Sequence, residues 1–113
     1  MSVLISRNRG AVIAIPSGRL DTKNAPEAEE LIVQEIDKGQ FRVVVDFAKT
    51  NYISSAGLRV ILKALKLLRQ KDDGAIALCN ANEQIQEVLE ITGFLTMIKC
   101  HTSLDEAIRD VSA

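Results

Sequence analysis

Histidine occurs once in the 113 residues, at His101, and cysteine only twice, at Cys79 and Cys100. A metal centre or a histidine-activated nucleophile would have to rest on that one imidazole, so neither a metal site nor a catalytic residue is expected. The two thiols are too few and too far apart for a zinc cluster or a CxxC pair. Both fall at the ends of apolar runs, which favours buried reduced thiols, with a redox pair as the alternative. There are six glycines, and neither a GxxxxGKS/T loop nor GxGxxG is present, so a nucleotide cofactor is not expected either. No apolar run approaches the roughly 18 residues of a membrane helix, and MSVLISRNRG lacks the apolar core of a signal peptide. A cytoplasmic protein without membrane insertion is the default. Charge of one sign is lacking too: the net charge of −1 argues against direct nucleic-acid binding, which usually goes with a strongly basic domain.

What is there is an ample core. The apolar fraction is 47% and the charged fraction 26%, in a chain of ordinary single-domain length. Residues 2–9 and 11–16 read as two strands of a hairpin with Gly10 in the turn. SGRLDTKNAP follows as a polar loop. Residues 27–38 put Ala28, Leu31, Ile32 and Ile36 on one helical face, with Asn24 and Glu27 spaced as a capping box and Gly39 as the stop. FRVVVDF (41–47) reads as a strand buried on both faces. A helix is expected from 55 to 71, a strand at 75–80, a helix between Asn82 and Gly93, a short strand at 96–100, and a last helix opened by Ser103 and Glu106. Strands alternating with helices imply crossover connections and a mostly parallel sheet, whose sites gather at the carboxyl ends of the strands.

One such end carries NYISSAGLRVIL (51–62). Leu58, Ile61, Leu62, Leu65 and Leu68 form the buried stripe of the helix that follows. Arg59, Lys63, Lys66 and Arg69 fall largely opposite, and no acidic residue occurs between Asp46 and Asp72. Serine is a favoured N-cap, and one serine is enough for that. The first turn offers Ala56, Gly57 and Leu58 where Asp or Glu would complement the dipole. Gly57 costs about 1 kcal/mol relative to alanine inside a helix, and its lack of bulk allows close approach. Free N–H groups with no resident anion suit a phosphate. From the residues alone two readings stay open: a capped helix, or an anion or modification site.

YISSAGLRVIL, preceded by VVVDF and by SGRLDT and followed by ITGFLTMIKCHTSLDEAI, resembles the STAS domain of bacterial anti-sigma factor antagonists. The resemblance covers essentially the whole chain. It implies a single α/β domain over residues 1–113: a small mixed, mostly parallel sheet opened by an N-terminal β-hairpin, with about four helices packed mainly on one face. It implies a binding partner and substrate, not an enzyme. The unphosphorylated form would bind an anti-sigma factor that is also a serine kinase and so release a sigma factor. Phosphorylation would end the interaction, and a serine phosphatase would reset it. Aligned on Gly57 and Leu58, the phosphorylated serine of the family falls on Ser55, with Ser54 in reserve where many members carry aspartate. Asp21, in the Gly-Arg-Leu-Asp loop, matches a family aspartate near the same surface. The partner surface expected is Asp21, Thr22, Ser54, Ser55, Ala56, Gly57, Leu58 and Arg59. The alternative is a STAS interaction module, a scaffold or transport accessory, that phosphorylation does not control. Exposed strand edges permit a monomer or a weak dimer.

Overall fold

The computed structural model describes residues 3–112. β1 (Val3–Asn8) and β2 (Ala11–Pro16) pair antiparallel along six residues. Arg9 and Gly10, both at positive φ, make the tight turn that right-twisted hairpins favour. Ser2, expected in the first strand, lies outside the described residues. β4 (Arg42–Asp46), β6 (Ala75–Cys79) and the two-residue β7 (Cys100–His101) then add in parallel, giving the order β1-β2-β4-β6-β7.

Val43, Val44 and Val45 are all buried because both faces of β4 are covered. On one face Ala14, Val43, Val45 and Leu78 meet α1 (Ala25–Asp37), α2 (Ser55–Arg69) and α3 (Glu83–Ile91). On the other, Ala11, Ile13, Val44, Ala77 and Cys79 meet Ala107, Ile108 and Val111 of α4 (Leu104–Ser112). Three helices thus share one face, and the fold is the mixed α/β arrangement expected.

Three local expectations change. The strand placed at 96–100 is mostly not a strand. Phe94–Thr96 is a 3-10 turn after the left-handed Gly93, and the Met97 and Ile98 N–H groups both return to the Phe94 carbonyl at 2.9 Å. Those donors are spent locally, so pairing with β6 begins only at Cys100.

The polar loop at 17–26 contains β3 (Gly18–Leu20), which pairs in parallel with β5 (Thr50–Ile53) as a separate two-stranded sheet. Lastly, α1 starts at Ala25 and Asn24 gives it no side-chain cap. The Asn24 Oδ1 instead accepts the Asp21 N–H at 2.8 Å, and its amide donates to the Arg19 carbonyl, so it ties the loop back to β3. Pro26, in the first turn, needs no N–H partner there.

Candidate functional site at the start of helix α2

β3 and β5 run side by side and end together, with Leu20 opposite Ile53. Their parallel register brings two distant segments of sequence to one edge: Asp21 and Thr22 beyond β3, and Ser54 to Arg59 beyond β5. The Ser54 N–H continues the ladder by donating to the Leu20 carbonyl at 3.0 Å. Ser54 then turns the chain: its backbone is extended, and its Oγ accepts the Ala56 N–H at 3.2 Å. Ser54 is therefore the cap of α2, and it is half-buried.

Ser55 is the first helical residue and is exposed. Its hydroxyl makes no hydrogen bond among the described residues. Among the described residues no side chain that could act as a general base is hydrogen-bonded to it. The first turn of α2 holds no acidic residue, which leaves the positive end of the dipole uncompensated.

Beneath Ser55 lie Gly57 and Leu58, both buried. A Cβ on Gly57 would stand 2.8 Å from Ile53 Cγ1 and from the Leu20 carbonyl oxygen. The close approach that this glycine permits is thus internal, seating α2 on the β3–β5 pair. Ala56 is half-buried, Arg59 and Thr22 are exposed. Asp21 Oδ1 accepts the Lys23 N–H at 3.0 Å, and Asp21 Oδ2 lies 3.4 Å from Arg19 Nε. The Arg19 guanidinium stacks 4.1 Å from the centroid of the Tyr52 ring. Arg19 and Tyr52 were not singled out from sequence, because they become neighbours only through the β3–β5 register. The exposed basic side of α2 runs on through Lys63, Lys66 and Arg69, with Lys63 paired to Glu29 of α1 at 3.2 Å.

The remaining chemistry-bearing residues sit elsewhere. His101 Nε2 lies 2.8 Å from Asp110 Oδ2, on the α4 side. Cys79 packs under α4 and Cys100 against the opposite core, so the strands hold the two thiols on different faces. Burial, together with the Asp46 carboxylate, pushes the Cys79 thiol up to about 12. Burial also raises Cys100. Among the described residues no His/Cys/Asp/Glu group could hold a metal ion, and no helix is long and apolar enough to cross a membrane.

The profile of the STAS domain family matches residues 2–107. The chain belongs to the STAS domain family. BtrV of Bordetella bronchiseptica, named as a candidate anti-sigma factor antagonist, is 38% identical over 107 residues, covering 95% of this chain and 91% of BtrV. The anti-sigma-B factor antagonist of Staphylococcus epidermidis is 36% identical over 76 residues, 67% of this chain and 69% of that protein. A Thermotoga maritima crystal structure, also titled as a candidate anti-sigma factor antagonist, superposes with a TM-score of 0.90 at 25% identity, covering 98% of this chain and 95% of that one. In this STAS domain the serine pair thus stands where the β3–β5 sheet hands the chain to α2, with Ser54 as the cap and Ser55 exposed beside it.

Proposed function

We propose that this STAS domain is an anti-sigma factor antagonist whose unphosphorylated form binds an anti-sigma factor with serine kinase activity and so frees a sigma factor. The kinase phosphorylates Ser55 and the complex parts; a serine phosphatase restores binding. On this reading residues 1–113 act as one cytoplasmic unit, substrate and partner but not enzyme.

The observation that carries the reading is the division between the two serines. Ser54 is committed to the cap, while the Ser55 hydroxyl is exposed and unbonded at the uncompensated end of α2. The names of the Bordetella and Staphylococcus relatives support the partner class.

A phosphoserine brings roughly −1.5 to −2 charges at pH 7. At a helix N-terminus the fold tolerates them, since dipole and free N–H groups favour an anion. The complex does not, because an interface closed around a neutral hydroxyl would have to desolvate a dianion. Asp21, Thr22, Ser54, Ala56 and Arg59 surround Ser55 in this interface. Gly57 and Leu58 act from below by fixing how α2 sits. A tenfold loss of binding needs only about 1.4 kcal/mol.

Intact mass and peptide mapping of the protein from its native cells, with phosphatases inhibited, tests the modification. One phosphate on Ser55, absent from Ser55→Ala, is the expected result. Binding to the cognate anti-sigma factor tests the switch, and Ser55→Asp is expected to weaken it at least tenfold. Phosphate on Ser54 would move the site by one residue. A stable complex with no phosphate in any growth state would favour an interaction module that phosphorylation does not control.

A further inference from the structure

A cleft of about 940 Å³ opens at the carboxyl ends of β6 and β7, and none of its lining residues belongs to the α2 surface. Its position follows from the topology. α3 leaves β6 for one face of the sheet and α4 leaves β7 for the other, so the chain parts between them. Crevices at such switch points are where open parallel sheets take ligands. At its mouth Asn80 holds a left-handed backbone at φ 60°, pinned by its N–H to the His101 carbonyl and its amide to Asp46, both at 3.0 Å.

One wall is a ridge of α3 bearing Glu83, Glu87 and Glu90, all exposed and in no ion pair among the described residues. No lysine or arginine lines the cleft. Ala81 and Cys100 contribute apolar lining, and Ile91, at the end of the ridge, is 76% exposed. The dipole favours Glu83, in the first turn of α3, but the fold does not ask for Glu87 and Glu90 beyond it. Like charges four and three residues apart on a helix repel. Glu90 lies in the last turn, where the dipole favours a cation, and that turn has no basic residue. The lack of cations disfavours phosphates, nucleotides and acidic proteins, and the three carboxylates form no metal-binding group.

We propose that this cleft docks a basic, amphipathic segment of a partner protein. Its lysine or arginine side chains lie along Glu83, Glu87 and Glu90, and an apolar side chain packs over Ile91 toward Ala81 and Cys100. The inference stands on the cleft alone and does not require phosphorylation of Ser55.

A titration of the isotope-labelled full chain, followed by amide chemical shifts, tests it. The probe is a blocked amphipathic peptide of leucine and lysine; the control has glutamate in place of lysine. Expected are saturable shifts from Ala81 to Ile91 and from Cys100 to Thr102, absent with the control and weakened by salt. The double variant Glu87→Gln, Glu90→Gln, which leaves the first-turn Glu83 in place, is expected to bind on the order of tenfold more weakly. Its melting temperature should be unchanged or higher, because the mutual repulsion is gone; a merely structural ridge would lower it. Should that variant fail to fold, Ile91→Gln and the salt dependence carry the same comparison. Unaltered binding by the folded variant, shifts centred on Ser54 to Arg59, equal binding of the control, or no saturable shift overturns the proposal. So do shifts that change on dilution of the protein alone, which would make the occupant the basic ridge of a second copy.

Discussion

Replacing Ser54 with alanine removes the oxygen that accepts the Ala56 N–H and leaves a half-buried helix end without its cap. Loss of such a cap costs about 1 kcal/mol. Replacing Ser55 with alanine removes a hydroxyl that bonds nothing among the described residues, at an exposed position, and should change stability by no more than about 0.5 kcal/mol. Urea unfolding of the two variants is expected to separate them by that margin, with Ser54→Ala the weaker fold. Equal stabilities would mean that the cap bond contributes nothing in solution, and the two serines would then be interchangeable. The sequence carried half of this distinction. Serine before a helix announces a cap, but two adjacent serines leave open which of them it is until the extended backbone of Ser54 is seen.

At the scale of elements, α2 and its seat decide where Ser55 stands. Gly57→Ala separates propensity from packing. Alanine gains about 1 kcal/mol in an open helix, but here its methyl would press on the Leu20 carbonyl and on Ile53 at 2.8 Å. The first of these is backbone in a paired strand and has little room to yield. Overpacking of this kind typically costs about 1–3 kcal/mol, so the variant is expected to be net destabilised. Thermal unfolding checks the sign, and a melting temperature above wild type would refute the close seat of α2. The same elements show what the chain disclosed and what it hid. Long periodic segments such as 55–71 and the run FRVVVDF were legible because each shows its own period. β3 was not, since Gly18–Leu20 contains one apolar residue and no period of its own. It is a strand because Thr50–Ile53 lies beside it, and the Thr50 hydroxyl reaches back to the Pro16 carbonyl at 2.6 Å. The Arg19–Tyr52 stack and the placing of Asp21 beside Ser54 depend on that pairing. TMIKC failed in the opposite way: its composition suits a strand, yet the Phe94 carbonyl takes up the backbone donors of Met97 and Ile98 first.

For the whole molecule, the group that links folding to pH most directly is Cys79, which is fully buried between the sheet and α4. Its ionised form is disfavoured first by burial and then by the Asp46 carboxylate, which together raise it from 9.0 to about 12. An unfolded chain has neither constraint, so its thiol ionises near the ordinary value. Below that value both states hold the proton and the native state keeps its full advantage. Above it the unfolded state has released a proton that the folded state retains, so the unfolded state binds fewer protons and stability falls as pH rises. The window runs from about 9 to about 12, and the slope for one thiol approaches 1.4 kcal/mol per pH unit. Lysine and tyrosine titrate in the same range, so the wild-type profile alone does not assign the loss. Cys79→Ala removes the thiol and creates a small void: it should be less stable than wild type near pH 7.5, about a unit and a half below the ordinary thiol value of 9.0. It should also lose less further stability on going to pH 10.5, about a unit and a half above that value and inside the window. Urea midpoints of both proteins at the two pH values make the comparison. Parallel declines would show that Cys79 does not carry the alkaline loss.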